Sequence, residues 1–274
     1  MTPSPAGRAA RGFGAPDFPW WLVALAALAL GVALAIAFDP AYRQILSILS
    51  AGVVTTVLVT AMAFAGALAL GLLVALAGRS RSRIARNAAR FYVEVIRGVP
   101  VLVLLFWIAF AAMPLLVSAW NGIAAPLRVI GLAGELQVRD VSLLARAVIA
   151  LVVAYSAFVA EIVRAGIEAV PQGQVEAAEA LGLSRWQRMR HVVLPQAIRT
   201  VLPPLGNDLV AMVKDSSLVS VLGVADITQM GKVFAAGSFR FMETYSVVAY
   251  LYLLMTVTLS LGVRALERRL RARR

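Results

Sequence analysis

Cysteine is absent from this chain of 274 residues, and histidine occurs once, at His191. Without thiols there are no disulfides and no thiolate metal sites, and one imidazole cannot build a multi-histidine centre. Charge is scarce as well: 15% of residues are charged and 61% are hydrophobic, with a mean hydropathy of +0.84. A soluble domain of this length fills its core with far less apolar sequence, so the chain reads as an integral membrane protein. The Walker A pattern G-x-x-x-x-G-K-[ST] is also missing. The two lysines, Lys214 and Lys232, stand in "AMVKDS" and "MGKVF", which lack the phosphate-cradling glycines. No Ser-His-Asp order is evident, His191 is solitary and assigned to a membrane interface, and no metal cluster exists, so a membrane enzyme has little support. No inverted internal repeat of the kind that builds secondary transporters is visible.

What is present is a set of apolar runs separated by basic segments. A net charge of +12 and a pI near 11.2 would suit nucleic acid only if the charges gathered on one soluble surface. Here they are strung between the apolar runs, so no nucleic-acid partner is expected. Hydropathy predicts about six membrane spans in an all-α, polytopic protein: Trp20 to Phe38, Ala51 to Ala77, Val99 to Val117, Leu143 to Arg164, Val201 to Leu222 and Thr244 to Val263. The fifth carries Asn207, Asp208, Lys214 and Asp215 and qualifies because the loops on either side must change sides.

An N-terminus on the inner side makes the loop charges consistent with the positive-inside rule. It places Arg8 and Arg11, the six arginines from Arg79 to Arg97, the basic residues from Arg164 to Arg199 and the C-terminal tail inside, and leaves Arg43, Arg128, Arg139, Lys232 and Arg240 outside. The C-terminus is then cytoplasmic. Arg8 and Arg11, the first apolar run and the small-residue pattern Ala35-Ile36-Ala37 at its end together resemble a secretory signal, but the run from Trp20 to Phe38 exceeds the usual signal core, which favours a retained helix. Residues 1–50 are read as an inner tail, an extra helix and an external linker, 51–269 as the transmembrane domain, and 270–274 as a basic tail. The external loop from Ser118 to Ser142 has Asn121-Gly122 and Gly131 as turn punctuation and room for a short surface helix.

The densest charge inside the chain is "EAAEALGLSRWQRMRHVVLP", Glu176 to Pro195. Good helix formers run to Leu181, Gly182 interrupts them, and Ser184 followed by Gln187 is a capping-box pattern that starts a second helix. Trp186, Met189 and Val193 recur on one face of it, and Leu194-Pro195 is expected to end it. Such a segment is either an interfacial amphipathic helix or a docking element that presents the small residues Ala177, Ala178 and Ala180 to a groove on a partner.

The segment resembles the cytoplasmic signature of the permease subunits of ATP-binding-cassette importers, carried here by Glu176, Ala177, Ala178, Gly182, Leu194 and Pro195. "RGVPVLVLLF" from Arg97, "AYSAFVAEIVRAGIEAVPQGQ" from Ala154 and "LPPLGNDLVAMVKDSSLVSVLG" from Leu202 are similar to the polar amino acid (histidine/glutamine-type) branch, and the likeness spans roughly Gly52 to Arg269. Val99 stands where the family often has threonine, and the N-terminal helix is absent from its shorter members. The resemblance implies a type I importer permease fold whose coupling segment, about 171–195, seats in a separate ATPase subunit. It implies a translocation pathway for polar amino acids in a bacterial inner membrane. No cofactor would be bound by this chain, since the partner ATPase uses ATP and Mg. Further partners would be a second permease, identical or paralogous, and an external substrate-binding protein, besides membrane lipid. The alternative is a stand-alone secondary transporter or channel for a small polar or ionic solute, which leaves the Glu-Ala-Ala segment unexplained.

A charge at mid-bilayer costs about 2.5 to 3.5 kcal/mol, so Asp208, Lys214 and Asp215 need a purpose. Neighbours on a helix point about 100 degrees apart, which sends Lys214 and Asp215 toward other helices or a watery cavity. Two readings stay open: structural neutralisation, or, with Asn207, Ser216 and Ser217, a pathway carrying both signs for a zwitterion. Glu161 and Arg164 lie one turn apart and are read as a structural ion pair supporting the coupling loop. Arg97-Gly98-Val99-Pro100 is read as structural at the inner end of the third span.

Overall fold

The structure is a computed structural model that describes residues 20–129 and 134–271. Arg8 and Arg11, Gly131, and residues 272–274 of the basic tail lie outside the described residues. The described chain is built of helices, with no strand among them.

Helix α1 covers Trp20–Phe38, the predicted first span. Asp39 then caps α2, Pro40–Gly78, accepting from the Ala41 N–H at 2.8 Å, and Pro40 sits in the first turn, where its missing donor costs nothing. The stretch 40–50, expected as an external linker, is therefore the opening of α2, and a boundary at 50 falls within a continuous helix. Ile45 and Leu49 explain why: both are fully buried against Ile227, Val247 and Val248. At 39 residues, α2 is about 58 Å long, well beyond the ~30 Å hydrocarbon core it crosses.

Small residues let the helices meet. Along α2, Thr56, Val59, Thr60, Ala63, Ala67, Gly71 and Ala75 form a buried stripe that packs on α7, Leu143–Glu168, through Ala147, Ala150, Leu151 and Ala154. Close approach through small side chains is how helices associate in lipid, where hydrophobicity gives no preference for protein over acyl chain. Among the described residues, the closest approach of a glycine to another helix's backbone is at Gly52. A Cβ there would lie 2.6 Å from the Ile227 nitrogen, so α2 meets backbone directly.

Between α2 and the third span, a segment the sequence leaves as a loop folds as α3, Arg83–Gly98, capped by Ser82. The third span runs as α4, Val101–Phe106, a π-helical turn at Trp107–Ala112, and α5, Met113–Ile123. Asn121-Gly122 is thus inside a helix rather than a turn. The Asn121 side chain holds the following loop, donating to the Leu136 carbonyl at 2.7 Å and accepting from its N–H at 3.0 Å. Short α6, Ala125–Val129, supplies the expected helix of the external loop, and a 3-10 turn at Val138–Asp140 precedes α7. Arg146 bonds the carbonyls of Val138, Val141 and Ala109. Its charge therefore closes the N-terminal end of α7 and serves a carbonyl within the π turn.

The segment expected to couple forms α8, Gln172–Ala180, α9, Arg185–Arg188, and a π turn at Met189–Val193 that runs directly into α10, Leu194–Asp215. Leu194-Pro195 begins a helix where the sequence predicts an end. Each π turn lies just ahead of a proline, Pro114 or Pro195, and a widened turn relieves the clash a proline ring makes with the preceding carbonyls. A 3-10 stretch, Ser216–Leu222, ends the fifth span. Helices α11, Ile227–Ser238, and α12, Phe241–Arg271, close the fold against α2.

Pro40–Gly78, Val101–Ile123, Leu143–Glu168 and Phe241–Arg269 are long and apolar enough to cross a bilayer. The other two spans expected, α1 and the polar α10, do not meet that measure of length and apolarity among the described residues.

Candidate functional site

The bend at Gly182 is built by backbone hydrogen bonds. Gly182 has φ +77°, a left-handed conformation that suits glycine. Its N–H donates to the Glu179 carbonyl at 2.9 Å and the Leu183 N–H to the Ala178 carbonyl at 3.1 Å, the paired bonds of a Schellman motif. Two residues on, both halves of the predicted capping box form: the Ser184 hydroxyl accepts from the Gln187 N–H at 3.3 Å, and the Gln187 side chain accepts from the Ser184 N–H at 2.8 Å. Across the bend, Arg188 pairs with Glu179 at 2.6 Å.

One side of this unit is anchored. Val175 and Met189 pack on a small core of Val170, Val193 and Ala197, and Gln196 of α10 donates to Gln174 of α8 at 2.6 Å. The other side is bare: Glu176, Ala177, Ala180, Leu181 and Gly182 are exposed. The small face predicted from sequence divides here, because Ala178 is buried with 4% exposure. The expected apolar face of the second helix divides as well. Met189 and Val193 turn inward while Trp186 is 69% exposed.

The intramembrane polar residues also separate. Asn207 and Asp208 line a cavity of about 410 Å³ together with Arg97, Phe158, Glu161, Ile162, Pro203 and Pro204. The Asp208 Oδ2 is buried without a hydrogen-bond partner. Arg97 stands 5.7 Å over the Phe158 ring and Glu161 pairs with Arg164, as expected, so both signs of charge face one space. Lys214 is exposed and forms no salt bridge with Asp215 among the described residues. Asp215 instead accepts from the Tyr155 hydroxyl at 2.8 Å. Buried Ser216 donates to the Val213 carbonyl at 2.7 Å, which holds it in the helix end. Lys214, Asp215, Ser216 and Ser217 do not line this cavity.

Sequence reasoning missed several of these positions. Arg97 was assigned to a helix start and Glu161 to a local pair, yet both reach the cavity. Tyr155 carried a signal, an aromatic hydroxyl within an apolar span, which needs a partner in lipid. Tyr92 of α3 ties to α7 by sharing a 2.7 Å hydrogen bond with the Ser156 hydroxyl. Burial pushes its own hydroxyl above the ordinary tyrosine value, and that hydrogen bond opposes the shift. Asp226, fully buried, caps α11 by accepting from the Gln229 N–H at 2.8 Å and from the Tyr252 hydroxyl at 3.0 Å.

Residues 67–273 match the family described as binding-protein-dependent transport system inner membrane component. The chain is 38% identical over 220 residues to the glutamine transport system permease protein GlnP of Escherichia coli strain K12, covering 80% of this chain and 91% of that protein. It is 34% identical over 247 residues to the L-cystine transport system permease protein TcyB of Bacillus subtilis strain 168, covering 90% and 95%. Among solved structures, a crystal structure of an amino acid ABC transporter with histidines aligns with a TM-score of 0.68 at 35% identity, over 81% of this chain and 94% of that one.

Proposed function

Since this chain belongs to the family of binding-protein-dependent transport system inner membrane components, we propose that it carries polar amino acids through the cavity beside Asp208 and couples that movement to a separate ATPase through the bend at Gly182. It is an ABC importer permease for amino acids, and that membership displaces the stand-alone transporter. The partner ATPase would supply ATP and Mg chemistry, while this chain hydrolyses nothing. A second permease copy or paralogue and an external binding protein complete the assembly, in a bacterial inner membrane with the C-terminus cytoplasmic.

The observation that carries the coupling role is the two-sidedness of the bent unit. Its inner side is fastened to the start of α10 through Gln174–Gln196 and the Val170 cluster. Force received on the bare side therefore passes into the helix that holds Asn207 and Asp208, as a rigid-body change between two states requires. An amino acid is a zwitterion, and the cavity offers Arg97 to its carboxylate and Asp208 with Glu161 to its ammonium. The unpartnered Asp208 oxygen supports this reading, since a buried carboxylate oxygen gains most from a cationic donor.

Ala177→Trp tests the docking. Ala177 is exposed, so the indole leaves the fold intact but blocks a close-fitting groove, and substrate-stimulated ATP hydrolysis by the assembled transporter should be lost. A helix that lies in the headgroup region tolerates the larger apolar residue. Full activity in this variant returns the segment to that reading.

A further inference from the structure

Helix α3 has three faces, and the protein packs only one of them. Ala89 is buried, Tyr92 bonds α7 and Ile96 packs on the main core. A second stripe, Ile84, Phe91 and Val95, recurs at helical spacing and is 82%, 72% and 43% exposed. It follows in sequence from exposed Leu72, Leu73 and Leu76 on the last turns of α2. The third face carries Arg83, Arg90 and Arg97.

Against that third face opens a cavity of about 650 Å³, with Arg79, Arg90, Arg97, Arg164, Glu94, Glu161 and Glu168 in its wall. Arg164 is neutralised by Glu161 and Glu168. Arg97 has the Phe158 ring, while Arg79 and Arg90 make no ion pair among the described residues. Glu94 makes no ion pair among the described residues either, and with four arginines facing three carboxylates the wall keeps a net positive charge of one. It does so beside an apolar stripe that a water-soluble anion would leave bare.

We propose that the pocket formed by the inner end of α2, α3 and α7 holds the phosphate headgroup of an anionic phospholipid, whose acyl chains lie along Ile84, Phe91 and Val95. Basic pockets between helices on the cytoplasmic side suit such headgroups. The pocket shares Arg97 and Glu161 with the cavity proposed for substrate, so the headgroup is assigned to Arg79 and Arg90, and the site rests on the membrane embedding and orientation of the chain.

The test is native mass spectrometry of the assembled transporter, titrated in detergent with phosphatidylglycerol or with phosphatidylcholine. Preferential retention of phosphatidylglycerol is expected. Arg79→Gln with Arg90→Gln should weaken it roughly thirtyfold, about fivefold per arginine. Arg268→Gln with Arg269→Gln removes equal charge from α12 and should leave retention unchanged. Phe91→Gln, which alters no charge, should weaken it several-fold. Equal loss in the two arginine pairs would overturn the proposal, as would unchanged retention in the Arg79/Arg90 or Phe91 variant. A tenfold excess of inorganic phosphate should leave the lipid bound, and displacement by phosphate would overturn lipid as the occupant.

Discussion

Substitution of Gly182 separates the backbone requirement of the bend from the bulk of a side chain. At φ +77° a Cβ on this residue meets no heavy atom within 4 Å, so a substitution is opposed by conformational strain alone. For an ordinary L-residue that strain is about 1 to 2 kcal/mol, and it is smaller for Asn. Holding the bend are two backbone hydrogen bonds, at 2.9 and 3.1 Å, worth about 1 kcal/mol each. The Glu179–Arg188 pair, whose carboxylate is exposed, adds about 1 kcal/mol. Strain and support are therefore comparable, and the bend should weaken without the membrane domain unfolding. The expected order of retained coupling is Asn first, then Ala, then Val, whose branched side chain is least compatible with a left-handed backbone. Substrate-stimulated ATP hydrolysis by the reconstituted transporter measures coupling, and size-exclusion chromatography confirms assembly. If Ala outperforms Asn, side-chain bulk at the docking surface governs and the strain argument is wrong. Full stimulation in the Val variant would refute both.

Gly52→Ala should destabilise the protein by about 1 to 3 kcal/mol or more, because its Cβ would meet the backbone of Asp226 and Ile227 at 2.6 to 2.8 Å; an unchanged melting temperature would contradict the packing described. Tyr155→Phe strands the Asp215 oxygen it now bonds at 2.8 Å, and a loss of about 1 to 3 kcal/mol in thermal or denaturant unfolding is expected, with no loss meaning that water replaces the hydroxyl. Cysteine at Ser184 should react with an impermeant thiol reagent from the inner side only, and cysteine at Asp140 from the outer side only, as the arginine distribution requires. The reverse labelling would overturn the orientation and the docking role with it.

The spans and the bend were legible because each is written in local sequence. Length and apolarity define the runs, and Gly182 with Ser184 and Gln187 specifies a stop, a left-handed residue and a restart within a few positions. Features set by a distant partner were not legible. Residues 40–50 read as a linker until Ile45 and Leu49 find Ile227 and Val247. Pro195 reads as a terminator because the sequence gives no sign of the π turn that accommodates it. Helix α3 had signals, a Ser82 cap and apolar residues at helical spacing, but the arginines between them gave the whole stretch the look of a solvated inner loop.

The cavity is the instructive case. Arg97 and Glu161 each had a sufficient local explanation, a helix start and an i,i+3 pair, so nothing in the sequence demanded a second role. They meet Asp208 only because α3 is tied to α7 by Tyr92 and α7 packs on α10. A charge within a span signals that a partner exists, but the identity of that partner depends on which helices touch. For Asp215 it was a tyrosine on α7 rather than the adjacent lysine. Neighbours in sequence were thus the wrong place to look for the compensating group. The same logic applies to Asp208, whose buried Oδ2 finds no partner within the chain and is therefore where the proposed pathway would have a substrate complete the set.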